Sequence, residues 1–107
     1  MLKEYFVGTW KGSDHGTLEE NEVNFWTVIR TLDGRFYVEF ATHYSDGRIE
    51  HTSQQGLWYV DENYFYEQRE GEEVADVYTY KFLSSHEIFF QDISSDYSFI
   101  DRNVAIH

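Results

Sequence analysis

Apolar and polar residues alternate with a period of two along most of the chain, and turn residues recur about every ten positions, the pattern of short strands with one face buried. Helical spacing is almost absent. The nearest approach, Thr17 to Val23, is too short and too acidic to bury a face. The alternation predicts strands over 6–13, 22–32, 35–44, 49–60, 64–69, 74–83, 87–92 and 97–104, with a continuation or a bend at Gly56. Every loop but the first is short, so strands adjacent in sequence are expected to pair antiparallel. About eight strands with no helix to cover a face must close on themselves or fold into a sandwich. The expected fold is all-β: a single antiparallel up-and-down barrel over residues 1–107 with room for side chains or one small ligand.

Two Asp-Gly pairs give a register. Read as two-residue type I′ loops, Asp33-Gly34 sets Leu32 opposite Arg35, Thr31 opposite Phe36, Ile29 opposite Val38, Thr27 opposite Phe40 and Phe25 opposite Thr42. This set is more apolar than the alternate one, Arg30–Tyr37, Val28–Glu39, Trp26–Ala41 and Asn24–His43, and is therefore assigned to the interior. Asp46-Gly47 carries the assignment on, with Tyr44 opposite Ile49, Thr42 opposite His51, Phe40 opposite Ser53 and Val38 opposite Gln55. Three polar side chains, His51, Ser53 and Gln55, thereby join Phe40 and Tyr44 on the inner face. Further along, Tyr78, Tyr80 and Phe82 share a face. A slip of one residue at either loop would reverse the assignment beyond it.

Composition fits a small barrel. Nine Phe, nine Tyr and three Trp make up 20% of the residues, and such rings fill a small core with few side chains, leaving some to line a cavity. The net charge of −12 argues against nucleic acid, which needs clustered Lys and Arg, and against an anionic membrane surface. No apolar stretch approaches the roughly 18–20 residues of a membrane span. The opening MLKEYFVGTW has no apolar core of a signal peptide, and the chain has no cysteine. A cytoplasmic location is expected. The lack of cysteine also removes disulfides, thiolate nucleophiles and Cys zinc sites.

His51, Ser53 and Gln55, with Phe40, Tyr44 and Tyr80, form the candidate ligand-binding set: a polar patch in a pocket otherwise lined by rings, as small-molecule sites usually are. The competing interpretation is a filled barrel whose polar groups bond one another and the Tyr hydroxyls. Catalytic residues are not indicated. No G-x-S-x-G motif exists, and Ser53 beside His51 lacks an orienting carboxylate or oxyanion hole. His43 and His51 fall on opposite faces in this register, and no H-x-H or H-x₃-H spacing is present, so no metal is expected. The acidic runs Glu19-Glu20-Asn21-Glu22 and Glu70-Gly71-Glu72-Glu73 lack the alternating Asp/Asn pattern of a calcium loop and are read as solvated loops. Trp26, Tyr37 and Ala41 are placed on the outer face, a patch suited to a homodimer through Trp26 and Tyr37.

Gly8-Thr9-Trp10 lies on the first strand after a short leader, Leu2 to Phe6. Asp96-Tyr97 precedes the last strand and Arg102 lies on it. These positions resemble the calycin superfamily, and within it the small bacterial lipocalin-like domains, where the G-x-W tryptophan plugs one end of the barrel and an Arg of the last strand packs across it. The resemblance implies structural roles for Trp10 and Arg102; a second G-x-W, Gly56-Leu57-Trp58, is also common in such domains. The chain is shorter than secreted lipocalins, with no disulfide and no C-terminal helix. Gly8-Thr9-Trp10-Lys11-Gly12 also resembles the G-T-W-x-G of nitrobindin-like haem barrels. Those barrels use a late His on the iron, and the late His here, His107, is the terminal residue, a poor place for a rigid axial ligand; no cofactor is expected. The expected function is non-catalytic binding of a small, partly apolar molecule inside the barrel. The alternatives are a filled-barrel interaction module and a small isomerase or cyclase of calycin type.

Overall fold

Strands form where the alternation is strongest: β1 (Gly8–Ser13), β2 (Glu22–Arg30), β3 (Arg35–Tyr44), β4 (Ile49–Asp61), β5 (Tyr64–Arg69), β6 (Asp76–Ser84), β7 (Glu87–Asp92) and β8 (Ser98–Asn103). The computed structural model describes residues 3–17 and 19–104. Each strand pairs antiparallel with its neighbours in the chain, and β8 returns to β1, closing an up-and-down barrel. Closure gives the sheet an interior for its rings without any covering helix. A one-turn 3-10 helix, Lys3–Phe6, precedes β1. The architecture is the one expected from the alternation, and an eight-stranded antiparallel barrel is compatible with a lipocalin-like fold.

The hairpin loops differ from expectation. Thr31 N–H donates to Arg35 O (2.9 Å) and Gly34 N–H to Thr31 O (3.1 Å); Tyr44 N–H donates to Arg48 O (2.9 Å) and Gly47 N–H to Tyr44 O (3.0 Å). Each loop therefore holds three residues, Leu32-Asp33-Gly34 and Ser45-Asp46-Gly47. Only the glycines take positive φ, +89° at Gly34 and +94° at Gly47. A type I′ turn would need positive φ at the aspartates too; these are type I turns completed by a left-handed glycine, a G1 bulge. The extra residue shifts both registers by one: Val28 pairs with Val38 and Trp26 with Phe40, while Ala41 pairs with His51 and Glu39 with Ser53.

Because side chains alternate strictly, β3 keeps its assigned face and both of its neighbours are reversed. Trp26, Val28 and Arg30 point inward, with Arg30 only 3% exposed, while Phe25 and Ile29 are each 45% exposed outside. His51, Ser53 and Gln55 are exposed on the outer face. His43 is exposed as well and shares that face with His51, rather than opposing it. Tyr37 is outside, as expected, but Trp26 is not, so the pair cannot form one dimer surface.

One end of the barrel is filled. Phe6, Trp10, Phe36, Trp58, Phe65, Ile88 and Phe90 are almost fully buried there. The Trp10 indole N–H donates to Phe6 O at 2.9 Å, which fastens the leader beneath the barrel. Phe6 lies 5.2 Å from Phe65, 5.0 Å from Tyr80 and 5.1 Å from Phe82, ring centre to ring centre. Trp58 closes the same end, its indole N–H on Thr31 O at 3.1 Å and the Lys3 ammonium 5.6 Å from its ring. Arg102 does not pack across Trp10. It sits one residue out of step with the inward positions, exposed, with Nε 2.9 Å from Glu87. Asn103 is the β8 residue opposite Trp10.

β4 is held unevenly. Its second half pairs with β5 from Gly56 to Asp61, and Glu70 N–H reaches Gln55 O at 2.8 Å. Among the described residues, Ile49 to Gln54 have a ladder partner only on the β3 side.

Removing a fully buried indole costs transfer and cavity energy together, so Trp10→Ala should destabilise by about 3–5 kcal/mol. Arg102→Ala removes one exposed ion pair and should change stability by no more than about 1 kcal/mol. Denaturant midpoints of the two variants measure the contrast.

Candidate functional site

Above the filled end the barrel holds an open-mouthed cavity of about 370 Å³, within the range of small-molecule sites. Its apolar wall is Trp26, Val28, Val38, Phe40, Tyr78 and Phe99, and its polar lining includes Arg30, Glu67, Arg69, Asp76 and Asp101. Strict alternation on β5 puts Phe65, Glu67 and Arg69 on one face, and on β8 Phe99 and Asp101. Charge therefore enters the interior on the same strands that supply the rings. Asp14, Asn24, Gln54 and Tyr97 lie at the end where β2, β6 and β8 begin.

The floor is an ion pair. Arg30 Nη2 lies 2.8 Å from Asp101 Oδ2, with the two side chains 2% and 1% exposed. Trp26 Nε1 donates to the other carboxylate oxygen at 2.8 Å. The guanidinium also lies over the rings of Phe65 (4.9 Å) and Phe90 (5.4 Å). Trp26 can reach Asp101 because the intervening strand presents Gly12: a Cβ there would sit 2.5 Å from the indole nitrogen. Nearer the mouth, Asp14 accepts from Asn24 N and Nδ2 (3.0 and 2.7 Å) and from Gly16 N (2.9 Å).

The remaining charges are less well matched. Arg69 Nη1 is 3.9 Å from Asp76, and its guanidinium is 5.9 Å from the Phe40 ring. Three buried guanidinium nitrogens, Arg30 Nε, Arg30 Nη1 and Arg69 Nε, have no hydrogen-bond partner among the described residues. Among the described residues Glu67 has neither a side-chain hydrogen-bond partner nor an ion-pair partner. Desolvation raises its carboxyl above the ordinary range, against the pull of Arg30 and Arg69 and with the push of Asp101 and Asp76. Burial raises Asp76 as well, opposed by Arg69. The Tyr78 phenol is shifted strongly upward by burial and then by Glu67, and burial, with Asp14 and Asp101, pushes Tyr97 up to about 12. The tyrosines are thus hydroxyl donors throughout the physiological range.

Of the six candidate ligand-binding residues, only Phe40 lines this cavity. Tyr44 lies beyond it, its hydroxyl 3.2 Å from Glu50 and its ring under Arg48 at 4.4 Å. Tyr80 belongs to the filled end, with its hydroxyl donating to Glu62 O at 3.1 Å. His51, Ser53 and Gln55 are outside, and Gln55 Nε2 bonds Glu70 at 2.9 Å. Arg30, Glu67, Arg69 and Asp101 were missed. The signal for two of them was present in β5, where Glu67 and Arg69 alternate in phase with Phe65. Among the described residues no group of His, Cys, Asp or Glu is arranged to hold a metal ion, and no helix is long and apolar enough to cross a membrane. His107 lies outside the described residues.

The chain matches no protein-family model. Nor does it match any curated protein sequence.

Leaving Arg30 buried without its partner should be costly: Asp101→Ala should lose about 3–5 kcal/mol, measured by denaturant unfolding. Glu67 gives a pH signature. A carboxyl raised in the folded state stabilises the fold below its ordinary value of 4.5, and that contribution is lost as pH rises through the raised value. Glu67→Gln should therefore become more stable than the parent as pH increases above about 4.5, and the gap should be absent well below it. Thermal midpoints of both proteins across this pH series test the sign.

Proposed function

We propose that this protein binds a small, partly apolar molecule inside its barrel, without catalysis, as a lipocalin-like domain of the calycin superfamily would. The observation that carries the reading is the set of three buried, unpartnered guanidinium nitrogens on Arg30 and Arg69, at a cavity of about 370 Å³. Buried donors are almost always satisfied in native proteins, and each one left unpaired costs about 1–3 kcal/mol. A filled barrel would have supplied these donors with protein acceptors. Aromatic walls around a few fixed polar groups suit a ligand with an apolar body and a polar end.

The test is an NMR titration with 2-naphthoate and 2-naphthamide as probes. Binding inside the barrel should move the Trp26 indole N–H signal and leave the backbone amide of the outward-facing Tyr37 unshifted. Filling the cavity with Val38→Phe should weaken either probe by at least about tenfold, or 1.4 kcal/mol. If neither probe moves Trp26, or if both bind unchanged to a folded Val38→Phe protein, the reading is wrong.

A further inference from the structure

The polar half of the cavity defines the ligand more closely, provided the cavity is the binding site. Arg30 spends one nitrogen on Asp101 and keeps two buried nitrogens without an acceptor among the described residues; Arg69 keeps one. What these groups lack is an acceptor with more than one lone pair, and a carboxylate bound by charge-assisted hydrogen bonds is the strongest neutral-pH choice. The surrounding charge limits that choice. Arg30 is balanced by Asp101 at 2.8 Å and Arg69 by Asp76 at 3.9 Å, so a dianion such as a phosphate monoester would find no surplus of positive charge.

Glu67 completes the balance. It lies on the cavity wall with the two arginines. The charged and titratable groups around it are Arg30 from β2, Arg69 from β5, Asp76 and Tyr78 from β6 and Asp101 from β8, while β4 sets the uncharged Trp58 opposite it. An ionised Glu67 and a bound carboxylate would draw on the same two guanidiniums. Two uncompensated anions in one part-buried space repel, and one of them takes a proton.

We infer that the cavity takes an aromatic or aliphatic monocarboxylate whose head group bonds Arg30 and Arg69, and that Glu67 takes up one proton from solvent as the anion enters. One anion and one proton cross into the barrel together, so no net charge is added. The protonated Glu67 carboxyl then has a hydrogen to donate to the ligand or to a neighbouring acceptor. Binding of a carboxylate should strengthen as pH falls toward the range in which Glu67 is already protonated.

Three probes with one apolar body separate the possibilities: 2-naphthoate, the neutral 2-naphthamide and the cationic 2-naphthylmethylamine. Titration calorimetry near neutral pH should show 2-naphthoate binding at least about tenfold tighter than either of the others. Its apparent enthalpy should depend on the ionisation enthalpy of the buffer, with a slope corresponding to proton uptake. In Glu67→Gln the slope and the pH dependence should vanish while 2-naphthoate still binds. In Arg69→Gln its advantage over the amide should be lost. An amide or amine that binds as tightly as 2-naphthoate overturns the carboxylate assignment and leaves the cavity reading standing. Enthalpies independent of buffer, or a slope that persists in Glu67→Gln, overturn the proton uptake. If no probe moves the Trp26 indole signal, the cavity reading itself fails.

Discussion

The ion pair between Arg30 and Asp101 organises the barrel. Two charges this deeply buried cost several kcal/mol each to desolvate, and the cost is recovered only with good geometry and further hydrogen bonds. Here the geometry is supplied by three strands at once. β2 provides Arg30 and Trp26, β8 provides Asp101, and β1, lying between them, provides a glycine where any side chain would block the indole. The rings of Phe65 and Phe90 lie beneath the guanidinium, adding cation–π attraction. The pair separates two regions: an aromatic plug around Trp10 and Phe6 on one side, and a cavity with unmatched polar groups on the other.

That division explains the aromatic richness of the chain. The rings of the filled end pack at centre-to-centre distances of about 5–6 Å with mixed tilted and edge-on geometry, which fills a narrow volume with few residues. Toward the other end charge joins the rings: the inward positions of β5 pass from Phe65 to Glu67 and Arg69, and β8 sets Asp101 beside Phe99. A barrel that needed only to be stable would gain by replacing such charges with apolar side chains.

The strands, their order and the closed barrel were legible because they depend on a period of two and on turn spacing, both of which are local. Which face of β2 and β4 turns inward was not legible, because it hangs on one backbone angle in each hairpin. Asp-Gly serves both a two-residue loop and the end of a three-residue one. The choice depends on whether the aspartate takes a left-handed φ. At Asp33 and Asp46 it does not. Apolarity pointed the wrong way: Phe25, Thr27 and Ile29 look more like a core than Trp26, Val28 and Arg30. A buried arginine reads as surface until its carboxylate is found, and Asp101 is 71 residues away. Trp10 was legible as a buried plug, but Arg102 was not its partner, because the pairing of β1 with β8 points Arg102 outward.

The half-attached strand gives the molecule unequal mechanical stiffness. Since Gln55 turns its carbonyl toward β5, the alternation makes Ile49, His51 and Ser53 turn their own amides toward the same open edge. Those amide hydrogens have no ladder acceptor among the described residues and should exchange with solvent without unfolding of the barrel, whereas amides around Trp10 and Phe90 require its disruption. Gln54, on the same stretch, lines the cavity. A displacement of this stretch would widen the mouth without touching either the Arg30–Asp101 pair or the plug, so opening of the cavity would be separated from loss of the fold.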